Sequence, residues 1–330
     1  MKLAFAKPIL IGSVIGTVVG GSVLLKEYLG GEKYETSLEA KGKVVIVTGA
    51  NTGIGQATAL QLAQLNATVV MACRDSDKCE LEREKIVMNT KNKYVYCRKC
   101  DLASQDSIRQ FVDRFNKEHT KLDILVNNAA VMNCPRTLTE DGIETQLGVN
   151  HMGHFLLTNL LLDKLKASAP SRIITLCDSV YHKGVINTED LNSDREYDGE
   201  KAYYQSKLAN MLFTQKLSRD LQGSGVTVNS VDPGTVDTEL LRHTSFGKSM
   251  ISMFFVKPLM WPFLKSPRQG GQAVVYAALD PNLQTVTGKC LKYRGESEIA
   301  PIALNTEMSE WLWLVSSKWT DFQNTNDKVS

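Results

Sequence analysis

The 330-residue chain lacks any long run of lysine or arginine and carries a formal charge of only +2, so neither a basic stripe nor a nucleic-acid surface is expected. Its seven cysteines, an odd number spread from Cys73 to Cys290, show no framework spacing, which argues against a secreted disulfide scaffold. Cys97 and Cys100 have CxxC spacing, but no second pair or histidine cluster completes a zinc site, so free thiols and no metal are expected. His151 and His154 fall within a helical pattern without a ligand partner and read as packing residues. Internal repeats and low-complexity stretches are missing too. The 43% hydrophobic content is enough to bury a core, so disorder over most of the length is not expected.

Charge is wholly absent from Pro8 to Leu25, where the chain reads PILIGSVIGTVVGGSVLL between Lys7 and Lys26. As a helix this run would span roughly 27 Å, enough to cross a hydrocarbon core. An uncleaved N-terminal membrane anchor over residues 1–26 is the expectation. A cleaved signal peptide is the competing reading, weakened by the length of the run and the lack of a clean small-x-small site. Gly12, Gly16 and Gly20 would share one face of that helix and suit helix packing, although glycine is common in membrane helices in any case. A polar linker, 27–42, follows.

From residue 43 to 330 the pattern becomes regular. Apolar, β-branched runs at 44–48, 68–73, 94–97, 122–127, 172–177, 226–231 and 289–293 alternate with helical patterns at 55–65, 77–89, 105–119, 143–167 and 202–221. Strands apolar almost throughout are buried on both faces. The expected fold is therefore α/β: one Rossmann domain, a doubly wound parallel sheet with helices on both faces. The stretch at about 235–265, with SMFFVKPLMWPFLK, breaks the alternation and reads as a lid over an apolar substrate or a surface leaning on the membrane, with ordinary packing as the plain alternative. Trp311, Trp313 and Trp319 would cap the core, form an interface or touch lipid headgroups.

Between the first strand and first helix stand Thr48, Gly49, Ala50, Asn51, Thr52, Gly53, Ile54 and Gly55. Glycines there permit a tight turn and close approach of a pyrophosphate, which the helix N-terminus then receives on its N–H groups and dipole. Arg74 and Asp75 end the second strand. An arginine suits the 2′-phosphate of NADP and an acid the 2′-hydroxyl of NAD, so NADP(H) is favoured and NAD stays open. Asp101 follows the third strand and Asn127, Asn128, Ala129 and Ala130 close the fourth, all at carboxyl ends. Tyr203 and Lys207 are four apart on a helix and share a face. An ammonium there would draw the phenol pKa down from about 10 and make Tyr203 a proton shuttle for an alcohol/carbonyl pair.

With the motifs TGANTGIG (Thr48–Gly55), NNAA (Asn127–Ala130), YYQSK (Tyr203–Lys207) and DPGTVDT (Asp232–Thr238), the chain resembles the short-chain dehydrogenase/reductases over roughly residues 40–295. ACRD at Ala72–Asp75, GVNHMGHFLLTNLLLDKLKASAPSRII at Gly148–Ile174 and QSKLAN at Gln205–Asn210 look like its membrane-anchored retinol dehydrogenase branch. The resemblance implies an NADP(H)-dependent interconversion of retinoids or similar lipid alcohols and carbonyls. It implies Tyr203 as general acid/base and Lys207 as its tuner and ribose ligand. Asn150 would position a relay water, and Pro233, Gly234 and Thr238 would cradle the nicotinamide. It also implies a homodimer and a place in the mitochondrial inner membrane or the endoplasmic reticulum.

One departure stands out. The family's catalytic serine position is occupied by Asp178, in the stretch Thr175, Leu176, Cys177, Asp178, Ser179. A carboxylate about 5 Å from the Tyr203 oxygen would oppose its phenolate by roughly 3 kcal/mol, about two pKa units. Losing the hydroxyl donor would cost about 10²–10³ in rate. Ser179 is a stand-in only if a bulge or turn brings it round, because strand neighbours face opposite sides. A protonated Asp178 is another remedy. The alternative function is a catalytically impaired, NADP(H)-binding membrane sensor or scaffold. A third reading, a small polar carbonyl substrate, is disfavoured by the apolar stretch Met250–Leu264.

Overall fold

The structure is a computed structural model, and it describes residues 20, 21, 23–26, 38–237 and 264–322. The expected anchor lies almost wholly outside the described residues, as do Thr238 and most of the expected lid. Among the described residues no helix is long and apolar enough to cross a membrane.

Eight strands form one sheet: β1 (Val44–Thr48), β2 (Thr68–Cys73), β3 (Val95–Lys99), β4 (Ile124–Asn127), β5 (Ser171–Leu176), β6 (Val226–Asp232), β7 (Cys290–Lys292) and β8 (Gly295–Ser297). Their order is β3-β2-β1-β4-β5-β6-β7-β8, parallel throughout except for the antiparallel β7–β8 pair. The order reverses between β1 and β4, which opens a crevice at the carboxyl ends of the strands. The seven principal helices are α1 (Gly53–Gln64), α2 (Ser76–Thr90), α3 (Gln105–Glu118), α4 (Gly153–Ala167), α5 (Gly199–Asp220), α6 (Pro267–Leu279) and α7 (Thr306–Trp319).

β1 explains why both sheet faces are covered. Every residue of VVIVT is buried. Val45 and Val47 join a core with Ala59 and Leu62 of α1 and Val274 of α6. Ile46 points the other way, into a core with Phe111 and Phe115 of α3 and Phe155 of α4. Strand alternation thus feeds two apolar layers, and the doubly wound expectation holds. Helix starts follow from local chemistry. Asp75 caps α2 by accepting from the Lys78 N–H at 3.0 Å, Ser104 caps α3, and Asp198 caps α5 through the Glu200 and Lys201 N–H groups. Ser266 and Gln269 form a capping box at α6, with Pro267 in its first turn.

One reading is corrected and two are refined. The expected helix at 143–167 is present from Thr145 to Ala167, and the new feature is a π-helical turn within it, Gly148–Met152, ahead of α4. Its two ends pack closely: a Cβ on Gly148 would lie 2.5 Å from Thr139 Cγ2, and one on Gly153 would lie 2.5 Å from the Leu102 carbonyl oxygen. Cys97 is not a free thiol paired in spirit with Cys100; it is disulfide-bonded to Cys79, tying α2 to edge strand β3. The C-terminal tryptophans belong to α7, which packs on α5. Trp313 stacks on Phe213 at 5.9 Å and meets Phe155 edge-on at 4.9 Å, so it caps the second core layer.

Candidate active site

The glycine-rich turn after β1 is shaped by positive φ at Gly49 (62°) and Gly53 (56°), a region side-chain-bearing residues avoid. Gly55 admits no Cβ: it would lie 2.4 Å from Asn128 Nδ2 and 2.4 Å from the Gly49 carbonyl oxygen. Asn128 locks this turn from β4, its Nδ2 donating to the Thr48 carbonyl at 2.7 Å. Thr52 is the N-cap of α1 but makes no side-chain cap bond, and no acid occupies the first turn. The helix start therefore offers backbone donors and a positive dipole end to an anion. Ala50 is buried, while Asn51, Thr52, Gly53 and Ile54 are part-exposed along the crevice.

Around this cradle the carboxyl ends carry the remaining predicted residues. Arg74 is exposed after β2. Asp101, after β3, is half-buried, its carboxylate accepting from the Ala103 N–H at 3.0 Å. After β6, Pro233 is buried and Gly234 takes φ 75°, its N–H donating to Asp232 Oδ1 at 2.8 Å.

Tyr203 and Lys207 lie on one face of α5, each only 3% exposed. Lys207 Nζ is 5.6 Å from the Tyr203 ring centroid and donates to the Leu176 carbonyl at the end of β5 at 3.2 Å. Asp178 leaves β5 in extended conformation as the cap of a 3-10 turn, Ser179–Lys183. Asp178 Oδ2 accepts from the Tyr203 hydroxyl at 3.2 Å, a contact reached as the chain leaves the strand rather than by its pleat, since Leu176 packs toward α1 and α6. Cys177 packs under α5 with Leu208, Ala209 and Leu212, its Sγ 3.8 Å from Cys290 Sγ. Ser179 is exposed on the turn and makes no approach to Tyr203 among the described contacts.

This geometry corrects the expected tuning. Burial pushes the Tyr203 phenol well above its ordinary pKa, and the charge and hydrogen bond of Asp178 push it further. Burial also lowers Lys207, against the pull of Asp178. The ammonium therefore does not win, and the phenol stays neutral. The carboxylate is also nearer than the 5 Å first assumed.

Asn150, fully buried in the π-helical turn, exchanges two bonds with the Val131 backbone (2.8 and 2.9 Å) and donates to Ser206 Oγ at 3.0 Å. Ser206 in turn donates to the Tyr203 carbonyl at 2.7 Å. Sequence reading missed the link from here to the cradle. His154 bonds the Asn150 carbonyl through Nδ1 (3.0 Å) and Thr48 Oγ1 through Nε2 (2.9 Å). Burial holds its pKa down to about 4, so the ring is neutral. A carbonyl only accepts, so Nδ1 carries the proton and Nε2 accepts from Thr48. Thr48 Oγ1 also accepts from the Asn128 and Ala129 N–H groups. One buried chain of bonds thus joins the cradle, Asn150 and the Tyr203 helix.

Among the described residues no group of three or more metal-ligating side chains is present. A family model described as short chain dehydrogenase matches residues 43–248. Retinol dehydrogenase 13 of Mus musculus is 51% identical over 307 residues, 93% of this chain and 92% of that protein. Retinol dehydrogenase 11 of Homo sapiens is 46% identical over 85% of this chain and 86% of that protein. The solved 3-ketoacyl-(acyl-carrier-protein) reductase from Brucella melitensis, complexed with NADH, shares the fold with a TM-score of 0.60 at 21% identity, covering 77% of this chain and 97% of that one.

Proposed function

The chain belongs to the short-chain dehydrogenase family, and from that premise we propose that this oxidoreductase, acting on a CH–OH group, uses NADP(H) to interconvert retinol and retinal or a similar lipid-like alcohol and carbonyl. The observation that carries the reading is the buried Tyr203–Lys207 pair at the carboxyl end of β5, bonded through Ser206, Asn150, His154 and Thr48 to the glycine cradle. The cradle fits a dinucleotide: its glycines leave no room for side chains where a pyrophosphate would approach, and α1 begins without a side-chain cap.

Residues Gly49 to Gly55 would hold the pyrophosphate, Arg74 the 2′-phosphate, Asp101 and Asn128 the adenosine side, and Pro233, Gly234 and Thr238 the nicotinamide side. When bound, the nicotinamide supplies or accepts the hydride. Tyr203 Oη moves the proton, and its neutral phenol suits donation to a carbonyl oxygen during reduction. Lys207 stabilises negative charge on that oxygen and holds the ribose, while Asn150 orders the proton path behind it. The similarity to retinol dehydrogenases supports a retinoid, and the apolar stretch at 235–265 supports a lipid-like substrate.

The same reading places the chain at a membrane, in the mitochondrial inner membrane or the endoplasmic reticulum, through residues 8–25. Val23, Leu24 and Leu25 are exposed apolar residues that favour a lipid environment. A homodimer is part of the proposal. The test is NADPH oxidation with all-trans-retinal by the detergent-solubilised protein beside Tyr203→Phe. Turnover abolished in the variant is expected; NADPH binding without turnover of retinal, other aldehydes or steroids at any pH would sink the reading.

A further inference from the structure

A second lysine is buried on the far side of the crevice, where the motifs do not reach. Lys265 is 7% exposed. Its backbone closes a small ladder with the stretch after β6: its N–H donates to the Thr235 carbonyl and its carbonyl accepts from the Asp237 N–H, both at 2.9 Å. Its side chain runs back over the same stretch, and Nζ donates to the Pro233 carbonyl at 3.1 Å. The ammonium also sits 3.5 Å from the centre of the Tyr293 ring. A Cβ on Gly234 would come within 3.3 Å of Nζ, so the turn and the ammonium are fitted to each other.

Burying an ammonium is costly unless it is paired. Here a carbonyl and a ring face replace its water. The charged groups around it are Asp232 on β6, which favours its charge, and Lys292 on β7, which opposes it and is itself paired to Asp232 at 2.9 Å. A buried charge held this way fixes what it touches, and what it touches is the turn that would receive the nicotinamide half of the dinucleotide.

We propose that Lys265 is a positioning residue of the cofactor site, its buried ammonium clamping the Pro233–Gly234 turn against Tyr293 in the shape that accepts the dinucleotide. The proposal rests on the cofactor reading given above for Pro233 and Gly234. Burial lowers the Lys265 pKa to about 8, so the clamp holds at neutral pH and is released as pH rises through that value. A hydrogen bond to a charged group is strong enough for its loss to weaken binding about tenfold.

The test is NADPH affinity, read by fluorescence on the full detergent-solubilised chain at pH 7 and about pH 9.5, without substrate. The native protein should bind about tenfold more weakly at the higher pH. Lys265→Met should bind about tenfold more weakly at pH 7 with no further loss on raising the pH. Lys265→Arg, whose guanidinium keeps its charge, should bind near the native level at both. An alkaline loss that persists in Lys265→Arg, or native affinity in Lys265→Met at pH 7, would overturn the clamp while leaving the cofactor reading intact. Failure of the native protein to bind either NADPH or NADH would overturn both.

Discussion

Replacing Asp178 by serine should lower the Tyr203 phenol pKa, because it removes the negative charge and hydrogen bond that hold it up. The Tyr203 oxygen and the Asp178 carboxylate are 3.2 Å apart, and the phenol donates to the carboxylate. If the phenol ionised, two negative charges would face each other across that gap at a cost of roughly 3 to 5 kcal/mol for an effective dielectric between about 20 and 40. Asp178 is part-exposed, so solvent screening favours the lower end. The hydrogen bond also stabilises the neutral phenol and works in the same direction. The assay is the ultraviolet absorbance of tyrosinate against pH, with Tyr203→Phe subtracted to remove the other tyrosines. Asp178→Asn should show most of the same shift, because it removes the charge and keeps the shape. Only Asp178→Ser also restores a hydroxyl donor to the substrate oxygen, so its retinal turnover should rise by about 10²–10³. Superimposable titrations of the native protein and Asp178→Ser would refute the argument, since the charge would then have no hold on the phenol.

Arg74→Ala should weaken NADPH binding by roughly 10- to 100-fold and leave NADH nearly unchanged, as titration calorimetry would read; equal losses for both would remove Arg74 as the 2′-phosphate ligand. Reducing Cys79–Cys97, which closes a loop with a sequence separation of 18, should cost about 3 kcal/mol of stability on the chain-entropy account. A denaturation midpoint insensitive to dithiothreitol, or a Cys79→Ser variant as stable as the native chain, would contradict it. His151 and His154 are held near pKa 4 by burial, below the unfolded value of about 6.5. The unfolded chain therefore takes up protons that the folded one refuses, and stability falls as pH drops from about 6.5 toward 4. Each costs about 2 kcal/mol at pH 5, and the loss between pH 7.5 and pH 5 should shrink by about that amount in His151→Gln.

What was legible in the sequence is what a short stretch of backbone must do. β1 was readable to the residue because four consecutive apolar, β-branched residues and a threonine point to burial on both faces. The cradle was readable because Gly49 and Gly53 occupy backbone conformations that few other residues tolerate. The hidden features all depend on how distant stretches come to rest against one another. The Cys79–Cys97 bond requires α2 to lie on β3. The His154–Thr48 bond spans 106 positions and gives a residue read as helix packing a place in the buried chain. Lys265 looked like the edge of an apolar lid until Pro233 and Tyr293 closed around it.

Asp178 shows both sides of this division. Sequence reading identified the residue, its departure from serine and the sign of its effect. The magnitude depended on where β5 stops. Strand alternation turns Cys177 toward α5 and Leu176 toward α1 and α6, so it is the departure into the 3-10 turn capped by Asp178, and not the pleat, that brings the carboxylate to Tyr203 and carries Ser179 out to solvent. That is why the stretch from Leu176 to Ser179, more than the choice of amino acid at 178 alone, governs the proton chemistry of this site.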